Sequence, residues 1–108
     1  MLTWDEFRKV DMRVGKVTKV EDFPKAKNPA YKLTIDFGPL GIKRSSAHVT
    51  HYSKEGLQGR LIIAVVNFPP KQIADFVSEV LVLGAVESDG NIILLEPDKD
   101  AELGSRIA

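Results

Sequence analysis

The sequence predicts a small all-β barrel, and three observations lead to this fold class. Residues 31–37 alternate apolar and polar side chains, which is the pattern of a strand with one wet face. Gly15 lies where the alternation of an earlier strand changes phase, which predicts a bulge or bend that curls the strand. Asp89-Gly90 separates two apolar stretches and indicates a tight hairpin.

The remaining elements follow in order along the chain. Thr3-Trp4-Asp5-Glu6 fits a capping box and predicts a helix over 4–10, whose apolar face must cover this barrel or a second copy of it. The main strands are expected at 12–20, 31–37, 42–49, 60–68 and 77–86. Helical turns are expected at 50–56, ended by Gly56, and at 71–76; a hairpin strand is expected at 92–95 and an edge strand at 103–107. Five strands with a small helix between the third and fourth match the Greek-key barrel called the OB-fold.

Length and composition set the class of protein. The 108 residues, 12.0 kDa, predict one domain over 1–108, and 44% hydrophobic residues are typical of a globular chain. The absence of cysteine excludes disulfides, thiolate metal sites and thiol catalysis. The longest apolar run, residues 61–66, is too short to cross a bilayer, and the N-terminal residues lack a secretory pattern. We therefore expect a cytoplasmic protein with no membrane insertion.

The zero net charge hides an uneven distribution. Residues 1–54 hold 11 basic and 6 acidic side chains, whereas residues 55–108 hold 4 and 9. One interpretation is that surface charges fall in unequal runs by chance. The other is a single positive face that attracts phosphate or other anions.

Catalytic and metal-binding motifs are not found. His48 and His51 have a helical spacing, but no cysteine or carboxylate pair completes a metal site beside them. Ser45-Ser46 lacks the glycines of a nucleophile elbow, and no glycine-rich loop precedes a helix. We expect a protein that is not an enzyme and needs no cofactor.

A set of basic, hydroxyl and aromatic residues remains as a candidate binding surface. Arginine offers a planar fork of donors, serine adds neutral donors, and an exposed phenylalanine can stack on a base or a peptide side chain. The alternative is an ordinary solvated strand face, with the aromatic ring closing the barrel end. The residues concerned are Lys25, Lys32, Lys43, Arg44, Ser45, Ser46, Asn67, Phe68 and Lys71.

Several segments carry a family resemblance. Val10–Val17, Ala30–Gly38 and Ser78–Gly84 resemble strands of the tRNA-binding OB domain, which occurs as a free-standing dimer, in some methionyl-tRNA synthetases and in EMAP-II-type domains. Gly41–Ala47 and Ala64–Pro70 are similar to the CsaA family within that group, which is associated with preprotein export. The resemblance covers nearly the whole chain.

The resemblance implies a homodimer formed through N- and C-terminal extensions, chaperone-like binding of unfolded preproteins, and a link to the export motor SecA. It also adds Ser78 and Glu79 to the binding set. Trp4, Phe7 and the 92–95 hairpin supply apolar surface beyond what a barrel needs, which independently favours a dimer. The alternative function is structure-specific tRNA binding, although Asp75 after the Asn67-Phe68-Pro69-Pro70 turn would repel phosphate.

Overall fold

The long strand β1 organises the fold because its two halves pair with different strands. The computed structural model describes residues 1–108. The first half of β1 pairs with β4 and the second half with β2, giving an antiparallel five-stranded sheet in the order β3-β2-β1-β4-β7. The sheet closes almost completely into a barrel, which confirms the predicted OB-fold.

The elements of the chain are α1 (Trp4–Arg8), β1 (Met12–Asp22), β2 (Tyr31–Asp36), a 3-10 turn (Gly38–Leu40), β3 (Ile42–Ala47), α2 (Lys54–Leu57), β4 (Leu61–Val65), β5 (Lys71–Ile73), β6 (Phe76–Ser78), β7 (Leu81–Val82), β8 (Gly84–Val86) and β9 (Ile92–Leu94). β5 and β6 form one separate hairpin and β8 and β9 another. The second is the hairpin predicted at Asp89-Gly90, where Gly90 has a φ of 89°. Neither helix is long or apolar enough to cross a membrane.

The bend of β1 lies two residues beyond the predicted position. Its pairing register with β2 shifts between Val17 and Lys19, so the expectation of a bulge at Gly15 was wrong. Gly15 serves another purpose: a Cβ there would lie 2.6 Å from Ile35 Cγ2 and 2.6 Å from Phe37 Cε1. The strand therefore needs a glycine where it passes over core side chains, and it bends later.

The core fills the barrel from the inward face of each strand. Twelve buried apolar residues form one cluster, and the alternation predicted for 31–37 is confirmed, since Leu33, Ile35 and Phe37 are fully buried. Two tyrosines satisfy their polar ends: Tyr31 Oη donates to the carbonyl of Tyr52 at 2.9 Å, and Tyr52 Oη accepts from the Leu94 amide at 3.2 Å. No buried side-chain nitrogen or oxygen is left without a partner.

The barrel closes where β3 meets the segment after β6. The Glu79 amide donates to the carbonyl of Arg44 at 2.8 Å, and the Ser46 amide donates to Ser78 Oγ at 3.1 Å. Ser45 Oγ donates to the carbonyl of Val80 at 2.9 Å, with the serine itself buried. Side-chain hydroxyls thus replace part of the main-chain ladder at this seam.

Residues 71–78 differ most from the sequence prediction. The helix expected over 71–76 was wrong, because β5 and β6 form a hairpin with Ala74 and Asp75 at its turn. Ile73 and Phe76 are spaced for one face of a helix, but a two-residue turn places them on one face of a hairpin as well. The continuous strand expected at 77–86 is divided into β6, β7 and β8.

The second helix is displaced toward the C-terminus of its predicted range. α2 contains Gly56 rather than ending at it, and the chain turns at Gly59, whose φ is 80°. Ser53 caps the helix by accepting from the Gly56 amide. Gly59, which has a left-handed backbone, therefore ends α2, and Gly56 does not.

The N-terminal segment rests on the barrel without burying its helix. The capping box of Thr3 and Glu6 is confirmed, but α1 ends at Arg8 rather than at residue 10, and none of its residues is buried. The C-terminal segment runs beside β1, where the Ile107 amide donates to the carbonyl of Met12 and Arg106 pairs with Arg13. The predicted edge strand is therefore a single bridge.

The C-terminal segment meets the 3-10 turn by backbone contact. Gly38 and Gly104 both have positive φ, at 62° and 88°. A Cβ on Gly38 would lie 2.6 Å from the carbonyl oxygen of Leu103, and a Cβ on Gly104 would lie 2.6 Å from that of Phe37. Because neither residue has a Cβ, the 3-10 turn and the C-terminal segment can pack with their backbones in contact.

Candidate ligand-binding groove

An open groove of about 370 Å³ lies between the end of β4, the β5–β6 hairpin and the seam of the barrel. Its walls are Ser46, His48, Phe68, Pro69, Lys71, Ile73, Ser78, Glu79, Val80 and Leu81. Five residues that the sequence assigned to binding meet here, namely Ser46, Phe68, Lys71, Ser78 and Glu79. They come from three separate stretches of the chain, which the closure of the barrel brings together.

The apolar part of the groove is exposed to solvent. Phe68 is 54% exposed and Leu81 is 49% exposed, and the partly buried Ile73 and the buried Val80 line the same groove. Phe68 therefore does not close the barrel end, which was the alternative interpretation. An exposed aromatic ring beside aliphatic side chains is suited to contact another apolar group.

The polar walls retain unused hydrogen-bonding capacity. Ser78 Oγ accepts from the Ser46 amide and still has its own proton to donate. Glu79 Oε1 accepts from the Arg44 amide at 3.1 Å, while its second oxygen has no partner. Lys71 forms no ion pair. The groove can therefore bind a ligand that brings both donors and acceptors.

His48 is a wall residue that sequence reasoning missed. Its Nδ1 lies 3.0 Å from the carbonyl of Pro29, which can only accept, so Nδ1 carries a proton and Nε2 remains free. His51 instead contacts the carbonyl of Ile92 through Nε2, and no cluster of metal-binding side chains is formed. The loop that fixes His48 is 19 residues away in sequence, so no local pattern could have indicated it.

Two cations of the predicted set lie beside the groove on a pair of aromatic rings. Phe23 and Phe76 pack edge to face with centroids 5.4 Å apart. Lys32 Nζ lies 5.0 Å from the Phe23 centroid, and the Arg44 guanidinium lies 4.7 Å from the Phe76 centroid. We call these four residues the aromatic–cation cluster. Cation–π contacts of this kind orient the charged groups along the outer face of β2 and β3.

Ion pairs surround this cluster. Arg44 pairs with Glu21 at 3.0 Å, and Lys19 approaches the same carboxylate at 3.8 Å. Lys25, another cation of the predicted set, pairs with Asp75 of the hairpin turn at 3.1 Å. The hydrogen bond from Lys25 holds the pKa of the Asp75 carboxyl below its ordinary value of 3.8. Lys25 therefore fastens the hairpin tip to the loop after β1.

Three predicted residues are not available to a ligand in the groove. Ser45 is buried in the seam. Lys43 pairs with Ile35 and shares the inward phase of Ser45, so Lys43 and Arg44 lie on opposite faces of β3. The Asn67 amide is used at both ends, accepting from the Asp11 amide at 3.0 Å and donating to the carbonyl of Lys9.

Known proteins and one protein family are similar to this chain. The family model described as a putative tRNA binding domain matches residues 12–106. The methionine–tRNA ligase of Methanocaldococcus jannaschii is 36% identical over 99 residues, and that of Methanococcus vannielii is 41% identical over 101 residues. This chain spans only about 15% of the length of these enzymes, so the similarity covers one domain of them.

Solved structures match over the full chain. The CsaA chaperone protein of Picrophilus torridus is 56% identical with a TM-score of 0.95, and both chains are covered completely. The chaperone CsaA of Bacillus anthracis is 49% identical with a TM-score of 0.95, covering 100% of this chain and 99% of that one. A methionyl-tRNA synthetase-related protein of Pyrococcus horikoshii is 29% identical, with a TM-score of 0.89 and coverage of 100% and 98%. The chain therefore belongs to the putative tRNA-binding domain family and, within it, to the CsaA family.

Proposed function

We propose that the protein is a non-enzymatic chaperone of the cytoplasm that holds extended segments of unfolded preproteins, and that it acts as a homodimer. The observation that carries this proposal is the open groove, with exposed apolar side chains between polar groups that still have hydrogen bonds to make. An extended polypeptide has the complementary character, since its side chains are often apolar and its backbone offers a donor and an acceptor at each residue.

The groove suits a short, loosely defined stretch of chain. Its volume of about 370 Å³ lies near the lower end of typical ligand pockets, roughly 300–1,000 Å³. Phe68, Ile73 and Leu81 would contact one or two apolar side chains, while Ser78 and Glu79 would contact the client backbone. Such contacts give weak and unselective binding at one groove, and two grooves on one dimer would raise the affinity for a long client by avidity.

The homodimer is supported by the apolar surface at the chain termini. Trp4 is 78% exposed and lies beside Leu2, Phe7 and the C-terminal Ala108, where two shallow depressions of about 620 and 510 Å³ adjoin. The β8–β9 hairpin adds Val86 at 73% exposure. Apolar surface on this scale is typical of an interface between proteins.

The resemblance to CsaA extends the proposal to protein export. If the clients are preproteins, the export motor SecA is the expected partner that receives them. This partnership is tested by asking whether the purified protein binds SecA and whether a preprotein strengthens that binding.

The groove is tested with a permanently unfolded protein, such as reduced and carboxymethylated α-lactalbumin, as a fluorescent probe. We expect Phe68→Ala to weaken probe binding about tenfold, the equivalent of about 1.4 kcal/mol. Ile42→Ala is the matched control because Ile42 is 57% exposed, similar to Phe68, but lies outside the groove. Equal losses in both variants, or no binding by the unaltered protein, would contradict the proposal.

Structure-specific tRNA binding is a second candidate function, favoured by the aromatic–cation cluster and by the family match. Lys19, Lys32 and Arg44 lie around Glu21 on the outer face of β1 to β3, so three cations share this carboxylate. In single-domain nucleic-acid binders of this fold, the face of the second and third strands is the usual contact surface. Phosphate groups would bind these cations.

The neighbouring residues Lys43 and Arg44 provide a matched pair for testing tRNA binding. Because they lie on opposite faces of β3, we expect Arg44→Ala to weaken tRNA binding and Lys43→Ala to leave it nearly unchanged. The slope of log affinity against log salt should fall by about 0.7–0.9 for the lost phosphate contact in Arg44→Ala only. Identical slopes for both variants and the unaltered protein would exclude this surface.

A further inference from the structure

His48 is the only histidine of the groove, and the alternation that begins in β3 places it there. Buried residues alternate with more exposed ones from Ser45 to Val49. Ser46 and His48 are the more exposed members of this stretch, so they lie on its outer face, and both line the groove. The packing of the barrel core therefore fixes the position of His48.

The contact with Pro29 determines which ring nitrogen of His48 is left for a ligand. Nδ1 donates to the Pro29 carbonyl at 3.0 Å, and Nε2 has no partner in the protein. A neutral imidazole that is protonated at Nδ1 accepts a hydrogen bond at Nε2. His51 is held in the opposite tautomer, because its Nε2 contacts the carbonyl of Ile92 at 2.9 Å, and it does not line the groove.

The polar side chains of the groove have different hydrogen-bonding roles. Lys71 can only donate, and the second carboxylate oxygen of Glu79 can only accept. Ser78 has a hydroxyl proton to donate. His48 alone among these types changes its role in the range of about pH 5 to 8: it accepts at Nε2 when neutral and donates there when protonated.

The charged groups around His48 are mostly basic. They belong to the groove, to the neighbouring face of β2 and β3, and to the loop that holds Pro29. These groups are Lys71 and Glu79 in the groove, Lys32 and the pair of Arg44 and Glu21 on the sheet face, and Lys27 in the loop. A proton on His48 therefore adds positive charge where basic groups already outnumber acidic ones.

We propose that His48 sets the client specificity of the groove. Its neutral ring accepts a hydrogen bond from a backbone N–H of the bound segment, and its protonated ring instead favours segments with carboxylate side chains. This proposal rests on the chaperone function proposed above. An extended polypeptide brings an N–H at each residue except proline, so the neutral ring binds without regard to sequence. The imidazolium cannot accept from an N–H, but it pairs with an aspartate or glutamate of the client.

The test uses two rhodamine-labelled nonapeptides, one that alternates leucine with asparagine and one that alternates leucine with aspartate. Fluorescence anisotropy measures their binding at about pH 7.5 and about pH 5.5, on either side of the ordinary histidine titration, at one ionic strength. His48→Gln keeps an acceptor but takes no proton, and His48→Ala has no acceptor. His51→Gln is the matched control, because it removes the histidine outside the groove.

For the unaltered protein and for His51→Gln, we expect acidification to raise the affinity for the aspartate peptide relative to the asparagine peptide about two- to fivefold. This is the range of one exposed ion pair. In His48→Gln the ratio should stay constant, and binding at neutral pH should be retained. His48→Ala should weaken the binding of both peptides at neutral pH about two- to tenfold, the net effect of one hydrogen bond.

Two results would overturn this role of His48 and leave the chaperone function standing. One is a ratio that rises as much in His48→Gln as in the unaltered protein, and the other is unchanged neutral-pH binding by His48→Ala. If neither peptide binds the unaltered protein at either pH, the groove does not hold extended chains, and the proposed function fails together with the role of His48.

Discussion

The barrel interior and the aromatic–cation cluster both bury phenylalanine rings, but their surroundings differ. Phe37 is fully buried in a cluster of twelve core residues, and its ring lies against the backbone of β1 at Gly15. Phe76 lies in a cluster of three buried residues at the surface, between Phe23 and the stems of two cations. The first ring is held within the main core, whereas the second is held by one aromatic ring and two cationic side chains near the surface.

The barrel strands and the β5–β6 hairpin also differ in how they are attached to the rest of the protein. The strands around Phe37 are joined to their neighbours by main-chain ladders, so we expect them to unfold together. The hairpin that carries Phe76 pairs only with itself. Binding elements are commonly drawn from such weakly attached regions, because they must adjust to a ligand without loss of the fold.

The largest expected effect contrasts the two rings directly. Phe37→Ala should lower the free energy of unfolding by about 3–5 kcal/mol, because the surrounding barrel cannot collapse into the cavity. Phe76→Ala should cost clearly less, because water and the flexible stems of Lys32 and Arg44 can fill the space. Urea denaturation of both variants measures the difference. Equal losses would show that the hairpin is as firmly integrated as the core.

A smaller loss is expected from Gly15→Ala. The new methyl group would lie within 2.6 Å of both Ile35 and Phe37, and overpacking of this kind costs about 1–3 kcal/mol. Gly56→Ala is the comparison variant, since its Cβ would lie 2.9 Å from one exposed side-chain atom, the Ser53 hydroxyl that caps α2, and would meet no core side chain. Thermal unfolding of the two variants tests the contrast, and an unchanged midpoint for Gly15→Ala would refute the close approach.

Asn67→Ala should cost about 1–2 kcal/mol, because it removes two hydrogen bonds that attach residues 9 and 11 to the end of β4. Binding of the unfolded probe should not change. If binding were lost while urea denaturation showed full stability, Asn67 would be a groove residue as the sequence suggested.

The smallest effect concerns pH. Lys25 holds the pKa of Asp75 below 3.8, and in the unfolded chain the carboxyl returns to its ordinary value. The stabilisation is therefore complete above the ordinary value and is lost as pH falls through the lower, folded value. Hydrogen exchange of residues 71–78 should differ between the unaltered protein and Asp75→Asn at neutral pH, and the difference should vanish in acid. A difference that persists in acid would assign the effect to the substitution itself.

The sequence predicted the barrel well because its strongest signals are local. The alternation at 31–37, the capping box and the Asp-Gly hairpin each depend on neighbours within a few residues, and all three are confirmed. The hairpin at 71–78 was misassigned because Ile73 and Phe76 satisfy helical and hairpin spacing equally. Packing against Phe23, about fifty positions earlier, decides between them.

The binding site was predicted only in part, because some of its contacts are local in sequence and others are not. Strand periodicity could have separated Lys43 from Arg44, since adjacent residues of a strand point to opposite faces. Strand periodicity could not have shown that the Ser45 hydroxyl donates to the carbonyl of Val80, or that the carbonyl of Pro29 orients His48. Both contacts join distant parts of the chain. Long-range hydrogen bonds, rather than residue type, select which polar side chains remain for a ligand.

The reciprocal contact of Gly38 and Gly104 has a consequence for how this protein can vary. Each glycine faces the other segment's carbonyl oxygen at a distance that leaves no space for a methyl group. If positions 38 and 104 were randomised and folded variants were selected, we expect glycine to be recovered at both positions. This shared restriction fixes the C-terminal tail beside the first helix without a disulfide bond.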